Sequence, residues 1–324
     1  MIKLDKIKIV SSIKNISNIN EDKFQSTVKE GEIVEQKYFI QSPFNLYIEA
    51  DYKDKELVIE CTGKILKDDY PNLINKENIK QCLVNINQLN ICTLNVEEIL
   101  KDGEVVKCDV SQDVECSDCK ALTKSLRASV RNFNKYLARN IGGNFVIEKN
   151  VSTKNLKRRL TIYDKGAEMM LATNRDFLSS VEDSGAMLDY FANKARFELN
   201  LNSKEQIRQS LGIKDTSIQS VLGSTSTPIW NFLDKVLDDG EGIRSCSSLN
   251  ELKNQLLLEH CGKDLAKVET LLRGYYSPNT HISHTMKQFR ALLTKMSADT
   301  PSNVKEQLRH LLLEIVILVG IVSI

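Results

Sequence analysis

Apolar residues alternate with polar ones early in the chain and recur at steps of three and four toward its end. Residues 4–10, 44–52 and 56–61 alternate or cluster apolar side chains over strand lengths, with Lys53-Asp54-Lys55 as the turn between the last two. Residues 75–91 space Ile79, Cys82, Leu83, Ile86 and Leu89 as a helix does. Residues 96–100 lead into the turn Lys101-Asp102-Gly103, and a strand is expected over 104–110. Residues 119–140 read as one amphipathic helix. Its apolar positions are Leu122, Leu126, Val130, Phe133 and Leu137, and Gly142-Gly143 ends it. Residues 145–150 and 156–163 read as a hairpin turning near 151–155. Helical character is expected over 167–177 and 185–192, with a strand over 195–200. A helix over 203–211 takes Ser203 as its N-cap and ends near Gly212.

The run Gly223-Ser224-Thr225-Ser226-Thr227-Pro228 is the best linker candidate. Beyond it the pattern is helical over 229–237, 249–260, 265–272, 283–296 and 302–319. No internal repeat is visible. The expectation is an α+β fold: a catalytic domain over 1–222 built on an antiparallel sheet, then a mostly helical domain over 223–324. A length of 324 residues fits about two domains at roughly 150 residues each.

Net charge is only +1, so overall charge announces no polyanionic partner. Its distribution does. Between Lys120 and Lys165 there are twelve Lys or Arg against two acids, Glu148 and Asp164. On the expected helix, Lys120, Lys124, Arg127, Arg131, Lys135 and Arg139 form a cationic stripe, and Arg158 and Arg159 follow on the hairpin. A merely solvated face would mix its signs. Lys124, Arg127, Arg131, Lys135, Arg158 and Arg159 are therefore candidate DNA-backbone contacts.

The first ten residues alternate Lys with Ile or Leu and read as a strand rather than a secretion signal. Eight scattered cysteines in a chain of this size favour a reduced, cytoplasmic setting. The apolar stretch 311–324 is too short to span a bilayer and reads as the end of a core helix, so no membrane partner is expected.

Three short segments carry the candidate chemistry: 106–113, 160–168 and 195–199. Each is strand-like and bears a carboxylate, and the middle one adds Tyr163 and Lys165. Attack on a phosphodiester needs a nucleophile and a means of neutralising the phosphate. A phenol serves once a base or cation activates it, and hard cations such as Mg²⁺ or Mn²⁺ take carboxylate oxygens. Asp109, Glu198 and Glu168 are the candidate metal ligands. Alone, a strand-borne acid or tyrosine is usually a solvated or packing residue, and Arg196 pairing Glu198 across a sheet is equally ordinary. Their joint occurrence gives the pattern its weight. Cys116-Ser117-Asp118-Cys119 has the spacing of half a zinc site, but no second pair completes it. His281 and His284 read as surface or helix-terminal residues, and all four histidines lie at or beyond position 260. A glycine-rich phosphate loop and a Gly-x-Ser-x-Gly elbow are both missing.

These residues resemble the gene II/X-type replication initiation proteins of filamentous phages and small plasmids. The likeness covers roughly residues 1–215. Residues 4–9 look like that family's first strand, and 57–61 with 64–66 like its next segment. Asp109 falls in its Arg-x-Asp strand, with Lys107 replacing the arginine. Tyr163-x-Lys165-x-x-Glu168 and Arg196-Phe197-Glu198 match its two best motifs. The resemblance implies an HUH-like antiparallel-sheet nicking domain that starts rolling-circle replication. Its nucleophile would be Tyr163, with Lys165 and Arg196 as further catalytic residues. A 5′-phosphotyrosyl link and a 3′-OH primer would form at a double-stranded origin, in the presence of Mg²⁺ or Mn²⁺. The nicked single strand, a host helicase and a host polymerase would be partners. Related initiators with an Asp109…Asp113-like spacing carry the tyrosine on the helix after the Arg-Phe-Glu strand, but residues 203–211 have none. Tyr190 and the pair Tyr275-Tyr276 are the alternative nucleophiles. A non-catalytic DNA-binding repressor and a mobilisation relaxase are the alternative functions.

Overall fold

The computed structural model describes residues 1–130, 135–153, 157–237, 248–276, 281–298, 305 and 308–313. Twelve strands occur among them. They are β1 (Leu4–Ser12), β2 (Ile16–Ser17), β3 (Gln25–Lys29), β4 (Glu32–Ile40), β5 (Leu46–Asp51) and β6 (Glu56–Thr62). Then follow β7 (Thr93–Leu94), β8 (Glu104–Glu115), β9 (Tyr136–Ile141), β10 (Asn144–Lys149), β11 (Arg159–Asp164) and β12 (Lys194–Leu201). Ten join one sheet in the order β3-β4-β5-β6-β1-β8-β12-β11-β10-β9, and β2 pairs with β7 apart from it. Every neighbouring pair in the large sheet is antiparallel. The protein is thus α+β, as its pattern implies.

Alternation in the strands divides this sheet into an apolar and a polar face. Ile7, Ile9, Ile48, Ile59, Ile162, Phe197 and Leu199 point to the apolar side and are buried. Burying each such side chain stabilises the fold by about 1.5–3 kcal/mol. Helices α1 (Ile79–Asn87) and α2 (Val96–Asp102) contribute Leu83, Ile86 and Ile99 to the same core. Helix α3 (Cys119–Ser129) contributes Leu126. On the polar side lie α4 (Lys165–Met169), α5 (Arg175–Ser179), α6 (Ser184–Phe191) and a kinked 3₁₀ stretch, Gly63–Asn72. These elements share a small apolar cluster of Tyr70, Leu73, Met169, Phe177, Val181, Met187 and Phe191. That cluster walls one end of the polar face.

Ser203 caps α7 (Lys204–Leu211) by accepting from the Gln206 amide, and Gly212 closes it in the left-handed region at φ 67°. The stretch 223–228 is not a free tether. Ser224 is buried and its hydroxyl donates to the Leu211 carbonyl. Around it, α8 (Ile218–Leu222) and α9 (Pro228–Val236) bury Val221, Ile229 and Leu233 in the main core. The later helices α10 (Leu249–His260), α11 (Leu265–Tyr275) and α12 (Ser283–Ala298) gather a separate cluster around Leu258, Val268, Met286 and Phe289. Leu308 and Leu312, from the last expected helix, reach the main core, and 314–324 lie outside the described residues. No described helix is long and apolar enough to cross a membrane.

The long cationic helix is a correction. Its helical part stops at Ser129, and Tyr136–Ile141 is strand β9. The cause is Gly142-Gly143, whose φ values of 57° and 88° make a two-residue hairpin turn that pairs β9 with β10. Lys135 and Arg139 therefore leave the stripe. Arg131 and Phe133 lie outside the described residues, as does 154–156 of the second hairpin turn. The expected helix over 167–177 is likewise broken into α4, a 3₁₀ turn at Ala172–Asn174 and α5.

Candidate active site

Antiparallel register sets nine side chains in three rows on the polar face. Tyr163 on β11 lies opposite Arg196 on β12, which lies opposite Asp113 on β8. The next row is Thr161, Glu198 and Ser111. The third is Arg159, Asn200 and Asp109. Laterally paired residues share a face, so the three expected segments bring these side chains together on one face of the sheet. A fourth strand adds a residue that the sequence did not single out. The β1–β8 register shifts between Leu4 and Lys6, and the bulge turns Asp5 into the site.

Arg196 is fully buried, and each of its three guanidinium nitrogens makes a hydrogen bond. Its Nε and Nη2 donate to Asp113 at 2.6 and 2.8 Å. Its Nη1 donates to Asp5 Oδ1 at 2.5 Å and to the Tyr70 hydroxyl at 2.8 Å. Tyr70 in turn donates to Asp5 at 2.9 Å. Burial alone would raise the Asp5 carboxyl pKa, but Arg196 and Lys165 outweigh it and hold Asp5 below its ordinary range.

Tyr163 donates its hydroxyl to Glu198 Oε2 at 3.2 Å. Burial, then the nearby Glu198 charge, pushes the phenol well above its ordinary pKa. The Asn200 amide donates to Asp109 Oδ1 at 2.8 Å and reaches Glu198 Oε1 at 3.4 Å, so one amide bridges the two carboxylates. Burial, Asp5 and Asp109 together push Glu198 up to about 7, and burial also raises Asp109. Both acids are thus short of positive charge. Such crowded hard oxygens fit a divalent cation, which would favour their ionised forms.

Lys165 opens α4 and is buried, its Nζ 2.5 Å from Glu168 Oε2 and facing the rings of Tyr70, Phe191 and Tyr163. Burial and the neighbouring Arg196 lower its pKa to about 8. Glu168 does not join Asp109 and Glu198. It is held by Lys165, by Lys64 at 3.9 Å and by the Asn174 amide at 3.1 Å. Of the expected ligands, then, the structure brings Asp109 and Glu198 together and leaves Glu168 in a cationic pocket. Among the described residues, the one acid trio whose oxygens approach within 4.8 Å is Glu35, Glu49 and Asp51. Lys37 already sits on that group, 2.7 Å from Glu35 and 3.4 Å from Glu49.

Of the expected DNA contacts, Lys124 and Arg127 are exposed on α3 and Lys135 is exposed just before β9. Arg158 donates to Gln209 at 2.6 Å on α7. Arg159 lies in the third row of the site. The alternative nucleophile Tyr190 packs its ring edge-on against Phe191 with Lys194 over its face, while Tyr275 and Tyr276 are exposed at the end of α11. Cys116 and Cys119 are free, and burial raises both thiols, Cys119 to about 12. Asp5 was hidden because a lone acid in an alternating Lys-rich strand carries no periodic signal. Comparison with protein-family models, curated proteins and solved structures returns no match.

Proposed function

We propose that this protein nicks DNA by tyrosine transesterification, as an HUH-like initiator of rolling-circle replication acting at a double-stranded origin. The observation that carries the reading is the hydrogen bond from Tyr163 to Glu198, whose other oxygen shares the Asn200 amide with Asp109. In this reading Tyr163 is the nucleophile, Glu198 its proton acceptor, and Asp109 with Glu198 the hard ligands, all on the neighbouring strands β11, β12 and β8. A phenol this far above its ordinary pKa is inert until its proton has somewhere to go. Glu198 Oε2 is within hydrogen-bond reach to take it. The Tyr163 Oη–P bond then forms as the P–O3′ bond breaks, and the departing 3′ oxygen takes a proton from solvent. The products are a 5′-phosphotyrosyl link and a 3′-OH that a polymerase can extend. Asp109 and Glu198 are the residues that would hold Mg²⁺ or Mn²⁺, which would supply charge neutralisation at the phosphate.

Lys165 stays beside Tyr163 and contributes positive charge below about pH 8. The nicked strand, a host helicase and a host polymerase are the partners in this reading, in the cytoplasm and away from membranes. The test is incubation of supercoiled plasmid bearing the cognate origin with protein and Mg²⁺ or Mn²⁺. Conversion to a nicked, protein-linked circle is expected. Tight binding with neither nick nor adduct would favour the non-catalytic repressor, a reading that the raised pKa of the Tyr163 phenol also suits.

A further inference from the structure

The family resemblance offers Arg196 as a catalytic residue, yet every nitrogen of its guanidinium already has a protein partner. It is fully buried, and its donors serve Asp113, Asp5 and Tyr70. A phosphate arriving there would have to break a buried ion-pair network. A second arginine on the same face is differently placed. Arg159 lies opposite Asn200, the amide that bridges Asp109 and Glu198. Its Nε is shielded from solvent and makes no hydrogen bond. The carboxylate beside it on β10, Glu148, is already taken. Arg139 donates to Glu148, and Lys157 sits 3.1 Å from it. Three cations, Arg139, Lys157 and Arg159, thus lie on the flank of one buried acid, and among the described residues Arg159 is the one that makes no ion pair.

A buried guanidinium nitrogen without an acceptor is costly unless a ligand supplies one. The ligand it suits is an oxyanion, because a guanidinium fork matches phosphate geometry. We propose that Arg159 binds a backbone phosphate of the strand being cut, on the 159–200 row adjoining the Tyr163–Glu198 pair, and that Arg196 is a positioning residue that never touches DNA. This assignment rests on the nicking reading for the identity of the strand. The face then divides into a central acid pair and a flanking cation, with the sugar–phosphate chain running along β11 from Arg159 toward Tyr163.

The probe is a fluorescein-labelled oligodeoxythymidylate, titrated with the full-length protein across a salt series. Arg159→Gln is expected to weaken binding about tenfold at low salt, the loss of one charge-assisted contact. It should also flatten the slope of log K against log salt by about 0.7. Arg159→Lys should keep the slope and recover part of the affinity. The melting temperature of Arg159→Gln should not fall, because no ion pair is lost. An unchanged slope in Arg159→Gln, with adduct formation by Tyr163 intact, overturns the assignment and leaves the nicking reading standing. A flattened slope in a protein that forms no adduct supports the phosphate contact and removes the nicking reading alone. Wild-type protein that fails to bind the oligonucleotide at any salt overturns both.

Discussion

Asp5 and Arg196, 191 positions apart in the chain, meet with Oδ1 and Nη1 2.5 Å apart beneath the polar face of the sheet. The contact joins the bulge of β1 to the middle of β12, and Asp113 completes the clamp from β8. Arg196 therefore holds three central strands together through their polar side, where the apolar core contributes nothing.

Removing its charge should show this. Arg196→Met leaves Asp5 and Asp113 facing each other with no cation between them. A buried pair broken from one side costs about 3–5 kcal/mol. Urea denaturation should record a loss of that order, far beyond a typical surface substitution. A variant as stable as wild type that has lost oligonucleotide binding would return Arg196 to the DNA.

Tyr163→Phe deletes one hydroxyl and its bond to Glu198. The ring still packs beside Lys165, so the fold should lose no more than about 0.5–1.5 kcal/mol. Oligonucleotide affinity should persist while the covalent adduct, read on a denaturing gel, disappears. Adduct at undiminished yield would move the nucleophile to Tyr190 or to the Tyr275-Tyr276 pair.

Much of this arrangement can be read from the chain because it is periodic. Ser203 and Gly212 bracket α7 by local capping alone, and β11 and β12 carry clear apolar alternation. Other features depend on partners remote in sequence. Strand β3 is solvent-exposed along its whole length, and β4 gathers its apolar residues at its two ends around Glu35-Gln36-Lys37, so this hairpin has no continuous apolar rhythm to find. Residues 136–141 satisfy a helical and a strand pattern equally well. The decision falls to Gly142-Gly143, which acts as a hairpin turn here rather than as a helix stop. Glu168 shares a motif with Tyr163 and Lys165, but α4 turns it toward Lys64 and Asn174 and away from Asp109. Spacing could group these acids; only the register could separate them.

Stability without divalent metal should depend on pH through Glu198. Its folded pKa of about 7 lies above the ordinary glutamate value of 4.5. Between those limits the unfolded chain has released a proton that the folded chain retains, so stability should fall as pH rises through this window. Asp109 is raised as well and acts in the same sense. The melting temperature of metal-free protein should therefore drop from pH 5 to pH 7, and Glu198→Gln should flatten that slope. Mg²⁺ or Mn²⁺ should remove it in wild type by favouring both ionised acids. Identical slopes in wild type and Glu198→Gln, with and without metal, would leave these carboxylates no part in holding a cation.

The broken helix changes what its cations are expected to do. Lys124 and Arg127, three positions apart on α3, are exposed at the end of a helix that buries Leu126 beneath them. Among the described residues neither has an ion-pair partner to give up on reaching duplex phosphate. Arg139 belongs to another element and donates to Glu148 across the β9–β10 pair. The two sets should separate in a salt series on duplex DNA. Lys124→Gln with Arg127→Gln should flatten the slope of log K against log salt by about two units and weaken cognate and random duplex alike. The melting temperature should barely move, since exposed charges add little to stability. Arg139→Gln should do the reverse, lowering the melting temperature by stripping one cation from buried Glu148 while leaving the salt slope in place. If Arg139→Gln flattens the slope and the α3 double variant does not, the duplex lies along the β9–β10 hairpin instead of α3.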